Sequence, residues 1–387
     1  MNTETPATPA PGTIETSQFA ALTGGHEPPC ISLYAPAGTG SAKGEFAQLL
    51  ELLRTAKAGL AGTSMTIEKA EEQLKSQWPL VEQNAAAHKN ARGRAIFLAG
   101  NFFGCHHLAE PVAERAVIGR VFFVRPLLPV MGASGHFFLL AVSQKHVALF
   151  EGSRDGIHKL NIEMVPASLH EDLEGQEFER QSQFHSAAPK STGKRGSVFY
   201  GTDINQKERI LHFLRTVDRT VARVLKGQSA PLVVAALEYL FPLYKTANTY
   251  AHLLENGIDA NPDILSPDAL HAASWKLVES HLEEAKVSAL DMYRKLVNTE
   301  RTSSNLREIL VAAERGRVRY LFVPPAGEQW GSLVLPETVH LHRGAEPGDD
   351  ELLNLAAVLT LRHEGPVYVV PPEELREGAS LAAVFRS

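Results

Sequence analysis

The apolar and polar positions in the first third of the chain predict alternating strands and helices. Residues 30–34 form a short apolar strand, and a glycine-rich turn follows them. Apolar residues then recur at helical spacing from about residue 45 to 62, and a more polar helix is expected from about 67 to 88. Three further apolar runs, interrupted by Gly, Asn and Pro, indicate a sheet: Arg94–Ala99, Phe102–Leu108 and Val117–Val124.

The middle third opens with three short strands separated by turn residues, which predicts a meander. A polar stretch without periodicity follows at about Gly175–Gly201. Asp203 is then a candidate N-cap of a long amphipathic helix that ends at Gly227. The predicted elements around this helix are strands at 136–143, 147–151, 157–161 and 231–237, and a short helix at about 238–246.

The last third combines helices and strands in an order that predicts an α/β layer sandwich. A helix start at Ser266-Pro267-Asp268 opens a helical pattern that reaches about Leu296. The elements expected after it are helices at 303–314 and 349–361, and strands at 318–323, 366–370 and 381–385.

Chain length and these patterns predict a multidomain α/β protein. At about 150 residues per domain, 387 residues correspond to two or three domains. Pro126, Pro129 and Gly132 mark the first boundary, and the helix start at Ser266 marks the second. We expect a disordered tail at 1–13, an N-terminal α/β domain at 14–131, a middle domain at 132–265 and a C-terminal α/β sandwich domain at 266–387.

Composition and charge narrow the functional classes. An apolar fraction of 44% and a charged fraction of 21% are those of an ordinary globular protein. A net charge of −6 argues against unspecific coating of nucleic acid, and we expect no DNA partner. The two cysteines, Cys30 and Cys105, provide no disulfide framework, and no signal peptide or bilayer-spanning stretch is recognisable. The expected location is cytoplasmic, with no membrane partner.

Positive charge is concentrated in one segment. Residues 180–226 contain ten Lys and Arg against three Asp and Glu, so the segment carries 10 − 3 = +7 and the remainder of the chain −6 − 7 = −13. Within it, Arg215, Arg219, Arg223 and Lys226 follow one another at steps of four, four and three positions. This spacing places the four cations on one face of the predicted helix, opposite its apolar stripe.

Such a row of cations predicts contacts with RNA phosphates. The polar loop that precedes the helix is expected to contribute Lys190, Lys194 and Arg195 to the same site. The alternative is a solvated helix face whose cations pair with acidic groups of another domain. The residue pattern leaves both interpretations open.

Two other motifs admit a chemical and a structural interpretation. Gly38–Gly44 lies between a strand and a helix, where phosphate cradles occur, but its spacing matches neither common nucleotide-binding pattern. A plain connection is therefore favoured. Cys105, His106 and His107 suggest a metal cluster, yet alternation along a strand sends His106 to the face opposite its neighbours. Because no nucleophile or zinc-protease motif stands out either, we expect no catalytic residue, cofactor or bound metal.

Several stretches resemble the bacterial branch of the archaeo-eukaryotic release-factor family. The strongest is Val121–Pro129 running into Phe137–Ser143. Together with the strand and helix start at Cys30–Leu53, the likeness extends over nearly the whole chain. The further stretches that carry it are Val147–Gly156, Gly365–Pro371 and Ala382–Arg386.

The resemblance implies a family-specific N-terminal domain, a ribonuclease-H-like middle domain and a C-terminal domain with the kink-turn-protein fold of Pelota. In eukaryotic release factors, a Gly-Gly-Gln loop of the middle domain reaches the peptidyl-transferase centre. The matching stretch here, Gly175–Gly201, contains no Gly-Gly-Gln. The implied function is a translation-associated factor that binds the ribosome or tRNA in rescue, hibernation or quality control without peptide hydrolysis.

Two other functional classes remain open. A hydrolase or nuclease built on the ribonuclease-H-like layer would need clustered carboxylates to hold magnesium. The predicted strands of the middle domain offer only Glu151, so three or more carboxylates converging on this sheet would be needed to favour an enzyme. A protein-interaction module would instead use the C-terminal domain as a docking surface for a partner such as a translational GTPase.

Overall fold

The chain folds into two compact units, one formed within residues 1–134 and 282–387 and the other within 135–281. Among the helices that the structure describes, none is long and apolar enough to cross a membrane. The computed structural model describes residues 16–38, 41–60, 63–85, 91–129, 136–143, 145–154, 156–161, 202–334, 338–375 and 378–386.

The N-terminal part of the first unit is a four-stranded sheet with helices against it. The strand order is β3-β2-β1-β4, and every neighbouring pair is antiparallel. Three of these strands agree with the apolar runs of the sequence. The elements are α1 (Thr16–Thr23), β1 (Cys30–Pro36), α2 (Ala42–Thr55), α3 (Ile67–Ala85), β2 (Gly93–Ala99), β3 (Phe102–Leu108) and β4 (Arg115–Gly119).

Both faces of this sheet are buried, because successive residues of its strands alternate between two cores. Ile31 and Leu33 of β1 pack with Leu74 and other apolar residues of α2 and α3. Tyr34 belongs to the core on the opposite face, where its hydroxyl donates to the carbonyl oxygen of Phe123 at 2.5 Å. The strands are therefore apolar at nearly every position.

The prediction that strand structure continues through residues 121–124 is wrong. β4 ends at Gly119, and the following backbone N–H groups find side chains instead of a neighbouring strand. The N–H of Phe123 donates to Ser32 Oγ at 2.9 Å, and that of Val124 donates to Asn354 Oδ1 at 2.7 Å. Since these acceptors satisfy the buried donors, the apolar run is stable without a β ladder.

The C-terminal part of the first unit is an α/β/α sandwich with a small second sheet. The main sheet has the order β10-β16-β11-β15, with β11 and β15 parallel, and the small sheet has the order β13-β12-β14. The elements are the end of α6, which spans Pro267–Leu296 and begins in the other unit, β10 (Thr302–Ser303), α7 (Leu306–Glu314), β11 (Val318–Val323), β12 (Trp330–Val334), β13 (Thr338–His342), β14 (Asp350–Glu351), α8 (Leu352–Arg362), β15 (Val367–Val369) and β16 (Ala382–Phe385).

The N-terminal and C-terminal parts of the first unit share one hydrophobic core. Phe97 and Phe122 belong to the same buried cluster as Leu310 and Leu355. The division of this unit into separate domains at 14–131 and 266–387 therefore stays a prediction. In this unit the two segments bury apolar surface jointly.

The second unit is a five-stranded sheet with two helices on one face. Its order is β7-β6-β5-β8-β9, in which β5, β6 and β7 are antiparallel and β8 and β9 run parallel to β5. This arrangement is that of a ribonuclease-H-like sheet, so the prediction of an α/β protein with several sheets is confirmed. The elements are β5 (Phe137–Val142), β6 (Val147–Ser153), β7 (Gly156–Leu160), α4 (Thr202–Val224), β8 (Leu232–Ala236), α5 (Leu240–Ala247) and β9 (Ile258–Asp259).

Two helices begin at other residues than the sequence predicts. α4 already includes Thr202, so Asp203 lies in its first turn and is not the N-cap. The helix predicted from 349 begins at Leu352, because the Glu351 carboxylate caps it by accepting from the N–H groups of Leu353 and Asn354. At the other end of α4, Gly227 has a φ of +80°, as expected for a helix terminator.

Candidate nucleic-acid interface on helix α4

Helix α4 presents an apolar face to the sheet of its unit. Leu214, Val217 and Val221 are fully buried, and they pack with Leu140 of β5 and Val234 of β8. Burial of this stripe against two neighbouring strands fixes the rotation of the helix about its axis. The opposite face is thereby fixed toward solvent.

The exposed face carries the cation row, which we define as Arg215, Arg219, Arg223 and Lys226. All four side chains are exposed. With a rise of about 1.5 Å per residue, a step of four residues separates neighbouring cations by about 6 Å along the helix. This spacing is comparable to that of successive phosphates along a nucleic-acid strand. The sequence prediction of one cationic helix face agrees with this exposure pattern.

Within the described part of the chain, no acidic side chain forms an ion pair with the cation row. The interactions of Arg219 are with its own helix, where it donates to the carbonyl oxygen of Arg215 at 3.4 Å and to Thr216 Oγ1 at 3.0 Å. These contacts hold its guanidinium along the helix surface without neutralising it. The alternative interpretation, acidic partners from another domain, therefore has no supporting contact among the described residues.

Asp218 is the acid nearest to the cation row in sequence, and it points away from solvent. Its side chain is buried and accepts from Thr249 N at 3.1 Å and from Thr249 Oγ1 at 2.8 Å. Burial, and to a smaller extent the Asp218 charge, raises the pKa of the Tyr244 hydroxyl. Asp218 thus holds the segment after α5 against α4 and leaves the exposed face positively charged.

The loop part of the predicted site is not described by the structure. Lys190, Lys194 and Arg195 lie outside the described residues, as does the stretch Gly175–Gly201. Their contribution to RNA binding stays a prediction.

The Gly38–Gly44 connection carries a carboxylate where a phosphate cradle would need free N–H groups. The Gly38 N–H donates to Glu45 Oε1 at 2.8 Å. The other carboxylate oxygen of Glu45 accepts from Arg94 at 2.7 Å, and both side chains are buried. The Gly38 N–H therefore already has an acceptor within the protein, which favours the plain connection.

Cys105, His106 and His107 are divided between the two faces of their sheet. The His106 ring lies 5.8 Å from the Phe97 ring in one core, whereas Cys105 packs in the core on the other face. Burial lowers the pKa of His106 to about 4 and raises that of Cys105 to about 12. Among the described residues no group of three His, Cys, Asp or Glu is placed to hold a metal ion.

The carboxylates on the described strands of the middle sheet do not converge. Glu151 lies on β6 and Asp259 on β9, and β5 and β8 separate these two strands. Glu151 is bound to His136 Nε2 at 2.6 Å, and this hydrogen bond lowers the pKa of Glu151. The sequence had not singled out His136, because the pairing that brings it to Glu151 depends on the register between β5 and β6.

Comparison with known proteins identifies a family for the central region. Residues 136–317, a little under half of the chain, match the model of bacterial archaeo-eukaryotic release factor family 3. No curated protein matches the sequence. The resemblance inferred from the sequence is thus confirmed, and it indicates a translation-related protein.

Similar solved structures include those of aRF1, Pelota and Dom34. Archaeal translation termination factor aRF1 has 14% identity and a TM-score of 0.24 over 96% of each chain. Archaeal Pelota, from a model of its ribosome-bound complex with ABCE1, has 13% identity and a TM-score of 0.38 over 76% of this chain and 77% of that chain. Dom34 of S. cerevisiae, a translation termination-like factor that interacts with Hbs1, has 9% identity and a TM-score of 0.37 over 76% of this chain and 78% of that chain.

Proposed function

We propose that this chain, whose residues 136–317 match a bacterial release-factor family, is a translation-associated factor that binds the ribosome or tRNA through the cation row of α4. The observation that carries the proposal is an exposed row of four cations without acidic partners among the described residues, inside the family-matched region. Lys190, Lys194 and Arg195 extend the same site. The cellular context is rescue, hibernation or quality control in the cytoplasm.

The physical basis of recognition is the phosphate backbone. Each cation that neutralises a phosphate releases a condensed counterion, which contributes most of the affinity at low salt and none of the sequence specificity. The net charge of −6 acts against association at other surfaces, so the cation row also orients the encounter. Binding that reads shape and backbone suits ribosomal RNA and tRNA, whose structured regions present ordered phosphates.

The proposal assigns binding and no peptide hydrolysis to this chain. The sequence contains no Gly-Gly-Gln, the motif that reaches the peptidyl-transferase centre in eukaryotic release factors. A translational GTPase is the proposed protein partner, with the C-terminal α/β sandwich domain as its docking surface.

Ribosome co-sedimentation of wild type and the triple variant R215Q/R219Q/R223Q tests the proposal. We expect wild type in the ribosomal pellet at low salt and the triple variant largely in the supernatant. The control is R301Q/R307Q/R343Q, which removes three exposed cations elsewhere and changes the net charge equally. Its co-sedimentation should equal that of wild type.

Three outcomes would contradict the proposal. Wild type that stays in the supernatant with both empty and tRNA-loaded ribosomes excludes ribosome binding. Equal losses in the two triple variants would show that net charge, and not the cation row, controls association. A triple variant that melts much earlier while its binding is unaltered would identify the arginines as structural partners of acidic groups.

A further inference from the structure

A polar groove of about 580 Å³ runs along α3 in the first unit. Its floor is the exposed stripe of this helix, and its walls are Pro28, Pro29 and the turn at Gly100–Asn101. The floor residues recur at steps of three and one, the spacing of a single helix face. They are Lys69, Glu72, Gln73, Ser76 and Gln77.

The polar side chains of this groove fall into two sets: Ser64, Gln73 and Ser76 donate to backbone carbonyl oxygens, and the others face the groove without a protein partner among the described residues. Within the described residues, the side chains of Glu27, Glu72, Gln77 and Asn101 have no hydrogen-bond or ionic partner. Gln73 donates its amide to the Phe102 carbonyl oxygen at 3.0 Å, which fixes its side chain. Buried polar side chains elsewhere in this unit, such as Glu45 and Arg94, bind each other. The groove, in contrast, has donors and acceptors that are available to a ligand.

The chemistry of the lining favours a peptide. Each carboxamide offers both a donor and an acceptor, which matches the N–H and C=O groups of an extended backbone. Pro28 and Pro29 supply an apolar wall, and Met65 adds a flexible apolar contact at the groove.

The charge of the lining favours a basic ligand. Glu27 and Glu72 outnumber Lys69, so the groove carries a net charge of 1 − 2 = −1. A polyanion such as RNA would be repelled here, whereas lysine or arginine side chains would be attracted. We propose that this groove binds an extended, basic peptide segment of a partner protein. The site is separate from the cation row, and its function does not depend on that of α4.

Fluorescence anisotropy with full-length protein tests this proposal. The probe is a labelled octapeptide of alternating lysine and serine, compared with one in which glutamate replaces lysine. We expect the lysine peptide to bind more tightly, and E27Q/E72Q to abolish this preference. Because a net hydrogen bond corresponds to about a two- to tenfold change in Kd, Q77A/N101A should weaken both peptides by about that factor.

The control E279Q/E284Q removes two exposed carboxylates from α6 and should leave the preference intact. Thermal midpoints of all variants should stay close to that of wild type, since the substituted side chains are exposed, or half-buried in the case of Gln77. Absence of lysine-peptide binding at millimolar concentration, or a preference that survives in E27Q/E72Q, would overturn the proposal. Displacement of the peptide by octauridylate would identify the groove as an RNA site.

Discussion

The pair of Arg125 and Glu351 joins the two segments that build the first unit, and its removal should be costly. Arg125 Nη1 lies 3.1 Å from Glu351 Oε2, with side chains only 7% and 1% exposed. The same guanidinium donates to the carbonyl oxygens of Pro324 at 3.0 Å and Gly327 at 2.9 Å. Replacement by methionine keeps most of the volume but leaves a buried carboxylate and two carbonyl groups without this donor.

Loss of one partner from a buried ion pair costs about 3–5 kcal/mol, because the remaining charge is uncompensated. That is at least about a fifth of the roughly 5–15 kcal/mol that stabilises a typical domain. The variant R125M/E351Q removes the stranded charge as well, so it should be less destabilised than the sum of R125M and E351Q. The control is the pair of Arg115 and Glu328, whose side chains are 38% and 32% exposed, and R115M should cost less than R125M because solvent screens the remaining carboxylate.

Urea unfolding followed by tryptophan fluorescence measures these differences. Trp275 lies in the second unit, so a W275F background restricts the signal to the tryptophans of the first unit. A loss below about 1 kcal/mol in R125M would refute the reasoning, since a buried charge cannot be stranded so cheaply. Strict additivity in the double variant would do the same, because it would mean that the two side chains do not interact.

The local periodicities of the chain were sufficient to predict most strands and the faces of α4. Leu214, Val217 and Val221 are apolar at helical spacing, and their burial opposite Arg215 follows from the 3.6-residue repeat alone. For residues 121–124 the apolar pattern gave the wrong prediction. Buried apolar residues need no β ladder when side chains from distant segments accept hydrogen bonds from their N–H groups. Asn354, more than 200 positions away, is such an acceptor.

The sequence was sufficient to predict the cations of the candidate site, but not whether acidic side chains would neutralise them. Asp218 counts as a negative charge in the sequence of the basic segment, yet Thr249 holds it in the interior. Whether Arg215 and Arg219 meet an acid depends on which residues of distant segments fold beside α4. The polar stripe of α3 was likewise visible as a polar helix, but the walls that make it a groove come from Pro28 and Asn101, which only the tertiary fold brings together.

Three further predictions concern the backbone, the buried histidine and the cation row. Gly227→Ala should destabilise the protein by about 1–2 kcal/mol, because a Cβ is disfavoured at a φ of +80° even though no atom lies within 4 Å of its position. Gly156 has no positive φ and equally open surroundings, so Gly156→Ala is the control and should hardly change the thermal midpoint. Burial lowers the pKa of His106 to about 4 from an unfolded value near 6.5, so the unfolded chain binds the extra proton in this range. Stability should therefore fall as the pH drops from about 6.5 toward 4, and His106→Leu should flatten this dependence in urea midpoints; an unchanged pH profile would exclude the assignment. For the cation row, the salt dependence of tRNA binding gives the sharpest test. Each lost phosphate contact lowers the slope of log K against log salt by about one, so R215Q/R219Q/R223Q should lower it by about three. The control R301Q/R307Q/R343Q should keep the wild-type slope. If both variants shift the slope equally, tRNA senses the overall charge of the protein and the geometry of α4 is irrelevant to binding.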